Sequence, residues 1–211
     1  GVVCSDDLEV LAACNVVIDF TTAATTEAMI GGIAAKGLPI VVGTTGLSAS
    51  GQSVLEKAAQ TVPVLQASNT SLGVTILKNI VEKVAAALPV QYDIEIVEMH
   101  HNRKVDAPSG TALTLGQAAA AGRGVDHDAV ADRGRDGHTG PRREGDIGYA
   151  VLRGGDVVGE HQVIFAGRGE RIEIGHQVTD RSIFARGAIT GAKWLVGRTP
   201  GLYSMEDVLG L

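Results

Sequence analysis

The chain has 211 residues, 45% of them apolar and 20% charged, enough to bury a core and too hydrophobic for a disordered segment. A net charge of −6 and an aromatic content of 3% argue against a nucleic-acid surface, which needs a basic excess and stacking rings. No apolar run approaches the roughly 18 residues of a membrane-spanning helix. The two cysteines, Cys4 and Cys14, have neither disulfide-framework nor zinc spacing, so a reducing, cytoplasmic setting is expected.

In chain order, Asp6 to Cys14 predicts a short helix capped by Ser5 or Asp6. Val16 to Phe20 is β-branched and apolar and reads as a buried strand. Thr25 to Lys36 reads as a helix stopped by Gly37 and Pro39. Ile40-Val41-Val42 is the next strand and runs into Gly43-Thr44-Thr45-Gly46. A helix from about Ser50 to Gln60 follows, then a strand from Pro63 to Gln66 that ends in Ala67-Ser68-Asn69-Thr70. Alternating strand and helix predicts a parallel sheet with helices on both faces.

Leu72 to Leu88 predicts a long amphipathic helix whose core stripe is Leu72, Ile76, Leu77, Ile80, Val81, Val84 and Leu88. Asp93 to His100 reads as a strand and Thr111 to Ala121 as a helix. Arg123 to Asp146 reads as a solvated Gly-rich loop, with Arg133, Arg135, Arg142 and Arg143 available for a lid or a subunit contact. Ile147–Arg153, Val157–Phe165 and Arg171–Thr179 predict three strands of an antiparallel meander. Ser182 to Val196 returns to helix, and Met205 to Leu209 adds a turn capped by Ser204. The expected fold is therefore α/β at the front and α+β, with a mainly antiparallel sheet, behind it.

The chemistry concentrates between Glu98 and Thr111. Strand neighbours point to opposite faces, so His100 and His101 share a ligand only if the strand ends there, as the polar residues from Asn102 onward imply. Two imidazoles supply acid–base groups near neutral pH. Lys104 supplies positive charge. Ser109, Gly110 and Thr111 open a helix whose unpaired N–H groups suit an anion. Taken singly, Ser109 is an ordinary cap and Lys104 a solvated lysine; their clustering within twelve residues favours a site. Glu98, His100, His101, Asp106, His138 and His161 are the possible metal ligands. Their spacing fits neither H-E-x-x-H nor a zinc pattern, so no metal is expected. No G-x-G-x-x-G is present, but the small residues after two strands could line a cofactor crevice.

The segment Glu98–Thr111 closely resembles the signature of the 4-hydroxy-tetrahydrodipicolinate reductase (dihydrodipicolinate reductase) family, and the similarity runs from Val16 to the end of the chain. The resemblance implies an NADH- or NADPH-dependent oxidoreductase of lysine and diaminopimelate biosynthesis. It would act on a small cyclic dicarboxylate as a homotetramer. Residues 1–70 and 183–211 would form a Rossmann-type dinucleotide domain, and 71–182 a substrate and oligomerisation domain. His100 would be the acid/base residue and Lys104 a proton donor. His101, Gly110 and Thr111 would hold substrate carboxylates, with Ser109 beside them. Gly43, Thr44, Thr45, Ala67, Ser68, Asn69 and Thr70 would contact the cofactor. Two departures stand out. Gly1-Val2-Val3 aligns with the family's third strand, so the glycine-rich turn is missing and the nucleotide domain is read as incomplete. Thr22 replaces an arginine common among relatives, so a cofactor contact is expected to be lost. The rival readings are a non-catalytic dicarboxylate-binding or assembly module, and another Rossmann-type dehydrogenase acting on a small acid.

Overall fold

A computed structural model describes residues 4–211; the strand start expected at Gly1-Val2-Val3 lies outside them. The chain divides into two compact units, residues 1–72 with 182–211, and residues 73–181.

The first unit opens with a 3-10 turn, Leu8–Ala13, capped by Asp7. This is the short helix expected there, with Asp7 rather than Ser5 or Asp6 as its cap. Then come β1 (Val17–Asp19), α1 (Ala23–Ala35), β2 (Ile40–Val42), α2 (Ala49–Ala58) and β3 (Pro63–Gln66). All pairings are parallel, in the order β1-β2-β3 and then β9 (Gly201–Tyr203). The two-residue period of the strands divides the core. Ile40, Val42 and Val64 pack with Ile30, Ile33 and Leu55 on one face. Val41 and Leu65 pack with Ala192, Leu195 and Met205 on the other. Thr22 is the N-cap of α1, its hydroxyl accepting from the Thr25 N–H at 3.3 Å. Gly37, at φ +71°, ends that helix in the left-handed conformation that favours glycine. β1 is not a fully buried strand: it borders the described sheet, and Ile18 is 41% exposed. β9 was not anticipated, because three residues are too few to show a period.

The second unit holds α3 (Leu72–Ala87, beginning at the boundary), β4 (Asp93–His100), α4 (Gly110–Arg123), α5 (His127–Val130), β5 (Ala131–Asp132), β6 (Ile147–Arg153), β7 (Gly159–Gly167) and β8 (Glu170–Val178). Its sheet order is β5-β6-β4-β7-β8. β6 is parallel to β4, and β7 is antiparallel to β4 and β8. The three late strands are therefore not a meander, since β4 separates β6 from β7. Gly154-Gly155 carries the chain around the end of β4: the Gly154 N–H donates to the His100 carbonyl at 3.0 Å, and the Asn102 N–H to the Gly155 carbonyl at 3.3 Å. Alternation along β4 turns Ile94, Ile96, Glu98 and His100 inward, where the isoleucines join Leu77, Val81, Leu115, Val163 and Phe165.

The stripe of α3 differs from expectation. Val74, Leu77, Val81 and Ala85 are its buried line, and Ile76 and Ile80 lie about 40% exposed. The chain closes with α6 (Ser182–Leu195), β9 and α7 (Met205–Leu209), the last held by a capping box of Ser204 and Asp207.

Candidate active site

At the carboxyl end of β4, Glu98 is 1% exposed. Its Oε1 accepts from Arg153 Nη2 at 2.9 Å and from the Ser109 N–H at 3.0 Å. Its Oε2 accepts from Arg153 Nη1 at 2.8 Å and faces His100 Nδ1 at 2.6 Å. Burial alone would raise this carboxyl, but Arg153, His100 and the Ser109 N–H outweigh it and hold Glu98 below the usual carboxylate range. A charged Glu98 accepts the His100 Nδ1–H, which assigns the tautomer and leaves Nε2 as the acceptor nitrogen of the neutral ring. Gly159 keeps that atom open: a Cβ there would stand 3.0 Å from His100 Nε2.

His161 sits edge-on to His100, with ring centroids 5.1 Å apart. Its Nε2 meets Ser109 Oγ at 2.9 Å. Burial, with His100 beside it, pushes His161 down to about 4. Ser109 caps α4 through the Ala112 N–H at 3.2 Å. It is 2% exposed, with both its polar groups engaged inside the protein. Ser109, expected beside the substrate contacts, thus locks the start of α4 to Glu98 and His161. Gly110 beside it is exposed, and Thr111 is half-buried. His101, just past the strand, turns toward Arg181, 3.2 Å from its Nε2; burial and then the Arg181 charge lower its pKa. Lys104 Nζ pairs with Asp106 Oδ1 at 2.8 Å rather than with an imidazole.

A second feature lies in the first unit, beyond the carboxyl ends of β2 and β3. Thr44, Thr45, Gly46, Leu47, Gln52, Gln66 and Ser68 line a cleft of about 260 Å³. Hydroxyls and amides without formal charge suit the sugar and carboxamide end of a nicotinamide nucleotide, so the residues present fit that part of the cofactor. Of the expected contacts, Thr44, Thr45 and Ser68 meet here. Gly43 precedes them, its Cα face covered by the Phe20 ring. Ala67, Asn69 and Thr70 do not line the cleft. Thr70 is buried, and its hydroxyl donates to the Phe184 carbonyl at 2.7 Å; Asn69 Oδ1 accepts from the Ser71 N–H at 2.9 Å. Asp19, which the sequence did not single out, gathers the strand ends. Its carboxylate accepts from the Thr21 N–H and from the hydroxyls of Thr21, Thr26 and Thr44, at 2.5 to 3.3 Å.

The Arg123–Asp146 segment is anchored rather than freely solvated. Arg142 donates to Asp93, Glu95 and the carbonyls of Ile94 and Asp146, all within 2.9 Å. Arg135 pairs with Glu95 and Asp132.

A hydroxyl-lined cleft at the carboxyl edge of a parallel sheet, with a carboxylate-anchored histidine in a second unit, suits a nucleotide-dependent reductase of a small acid. Comparison with known proteins narrows that class. The family profiles "Dihydrodipicolinate reductase, N-terminus" and "Dihydrodipicolinate reductase, C-terminus" match residues 1–70 and 73–209. Three curated relatives are named 4-hydroxy-tetrahydrodipicolinate reductase. The one from Rhodopseudomonas palustris (strain BisA53) is 56% identical over all of this chain and 78% of its own length. That from Dinoroseobacter shibae is 55% identical over all of this chain and 79% of its own length. That from Caulobacter vibrioides is 52% identical over 95% and 79% respectively. Dipicolinate-bound dihydrodipicolinate reductase from Paenisporosarcina sp. TG-14 shares the fold, with a TM-score of 0.77 at 24% identity over 96% of this chain and 77% of that one. The chain belongs to the dihydrodipicolinate reductase family.

Proposed function

We propose that this protein reduces 4-hydroxy-tetrahydrodipicolinate to tetrahydrodipicolinate, with loss of the 4-hydroxyl as water, in the lysine and diaminopimelate route. The observation that carries the reading is the His100 ring held at Nδ1 by Glu98, whose carboxylate Arg153 pairs, with room beside Nε2 where Gly159 has no side chain. NADH or NADPH, when bound, supplies the hydride that reaches C4 of the ring. Thr44, Thr45 and Ser68 would hold its sugar and carboxamide end. His100 holds or releases a proton at Nε2, with Glu98 fixing the ring through Nδ1. Gly110 and Thr111 offer a helix start to one substrate carboxylate, and Arg181, whose guanidinium donates to His101 Nε2, offers its charge beside His101 to the other. Lys104 leaves Asp106 for the substrate and gives its charge and proton to the anion that hydride addition creates. The same reading makes the protein a cytoplasmic homotetramer.

The test is loss of absorbance at 340 nm by the purified chain, with substrate made in situ from pyruvate and aspartate semialdehyde and each nucleotide tried in turn. His100→Gln should lower kcat about a hundredfold, the scale of a lost general acid. Lys104→Ala should raise KM and lower kcat together. Near wild-type turnover in His100→Gln would remove that residue from its role.

A further inference from the structure

The geometry points to a second binding site in the 73–181 unit, one that takes a small aliphatic monocarboxylate in the cavity between the C-terminal ends of α3 and α4. The cavity holds about 490 Å³, which falls within the range of small-molecule pockets. Most of its wall is apolar, built from Ala85, Ala86, Leu88, Val90, Val125 and Val130.

One cation in that wall lacks compensation. Arg123, in the last turn of α4, donates from Nη2 to the Tyr92 carbonyl. Its Nε and Nη1 are buried and without a hydrogen-bond partner among the described residues. Asp93, the carboxylate nearest in effect, is already paired with Arg142 at 2.8 Å. Burial and then the Arg142 charge hold Arg123 below the usual arginine range, with Asp93 only partly opposing them. Arg143 also borders the cavity but is largely exposed to water, its guanidinium paired with Asp146 at 2.6 Å and donating to the Ala129 carbonyl at 2.9 Å.

Buried donors that make no bond are rare in folded proteins and call for a cause. A small turn of the guanidinium toward the cavity lets a ligand carboxylate supply both the missing acceptor and the missing charge. Glu144 lies on the same rim, exposed. A second negative charge on the ligand would face it, so the site suits one carboxylate on an apolar body rather than a dicarboxylate. The cavity adjoins the Tyr92–Asp93 end of β4. His100 stands at the other end, about 23 Å away at the usual rise per residue, so the two sites are separate.

The test titrates pentanoate and its neutral isostere pentanamide against the full chain, by calorimetry and by saturation-transfer NMR. Pentanoate is expected to bind, and pentanamide to bind at least about tenfold more weakly, the equivalent of one lost charge-assisted hydrogen bond. Ala86→Phe fills the cavity from its exposed rim without altering Arg123, and should abolish the pentanoate signal. Arg123→Met should reduce binding to the pentanamide level. Because Arg123 also ties down Tyr92 and its loss could unfold the chain, Ala86→Phe carries the test independently. No pentanoate signal, equal binding of acid and amide, or undiminished binding by Ala86→Phe would overturn the assignment.

Discussion

Glu98 and His161 show opposite ways of placing a titratable side chain in an apolar core. Glu98 keeps its charge because a guanidinium, an imidazole and an N–H converge on it. His161 has only a serine hydroxyl and a neighbouring imidazole, so burial keeps it neutral. The consequence is a pH dependence with a definite sign. The unfolded chain protonates His161 near the ordinary value of 6.5, whereas the folded chain does so only at about 4. Between those values unfolding takes up a proton, and stability falls as pH falls, by about 2 kcal/mol from pH 7 to pH 5 for this one group. Glu98 acts in a lower window. Its lowered pKa stabilises the fold above 4.5, and that contribution is lost only as pH falls from there through its folded value. His176, also lowered by burial, acts in the same direction as His161. Urea unfolding of wild type and His161→Gln at the two pH values isolates the His161 part: the variant should lose about 2 kcal/mol less than wild type. Equal losses would sink the argument.

At the scale of elements, β4 was legible because an alternating strand that ends in polar residues leaves few other readings. The partners of its buried face were not. Arg153 reaches Glu98 because β6 pairs His100 with Arg153, and His161 because β7 pairs Glu98 with His161. Those registers depend on the Gly154-Gly155 crossing, which looks from sequence like a hairpin turn. His161 did leave a signal, since it shares the inward parity of Val163 and Phe165 on β7. The Arg123–Asp146 segment misled for a related reason. Its arginines look solvated until the start of β4 presents Asp93 and Glu95 to them. Arg142 donates to both of these carboxylates and to the carbonyls of Ile94, Arg143 and Asp146. Arg142→Ala should therefore cost about 2–3 kcal/mol and speed proteolysis within residues 133–141. Arg133→Ala, whose ion pair with Asp128 is exposed, should cost less than about 0.5 kcal/mol. Chemical denaturation of both variants checks the contrast, and similar values for the two would show that the loop is not held through Arg142.

For the whole molecule, the five-stranded sheet poses a question that one copy of the chain does not answer. Its inner face is covered by α3 and α4. Alternation turns Val97, Met99, Leu152 and Ile164 to the opposite face, where the pairings Met99–Leu152 and Ile96–Val163 fix their parity. Leu152 is 50% exposed. These apolar side chains share the face with Glu95, Glu160, Gln162 and Glu173, a mix of apolar centre and polar rim that suits a subunit contact, and the homotetramer proposed above would cover Leu152 with copies of itself. Light scattering on the eluting protein should then give four times the 21.7 kDa chain mass. Leu152→Glu puts a charge on a half-exposed position, where it has little effect on the folding of one copy but faces its equivalent or another apolar surface in the assembly. It should yield a smaller species with an unchanged far-ultraviolet circular dichroism spectrum. A tetramer that persists in Leu152→Glu would move the interface elsewhere on the chain, and a monomeric wild type would remove the tetramer altogether.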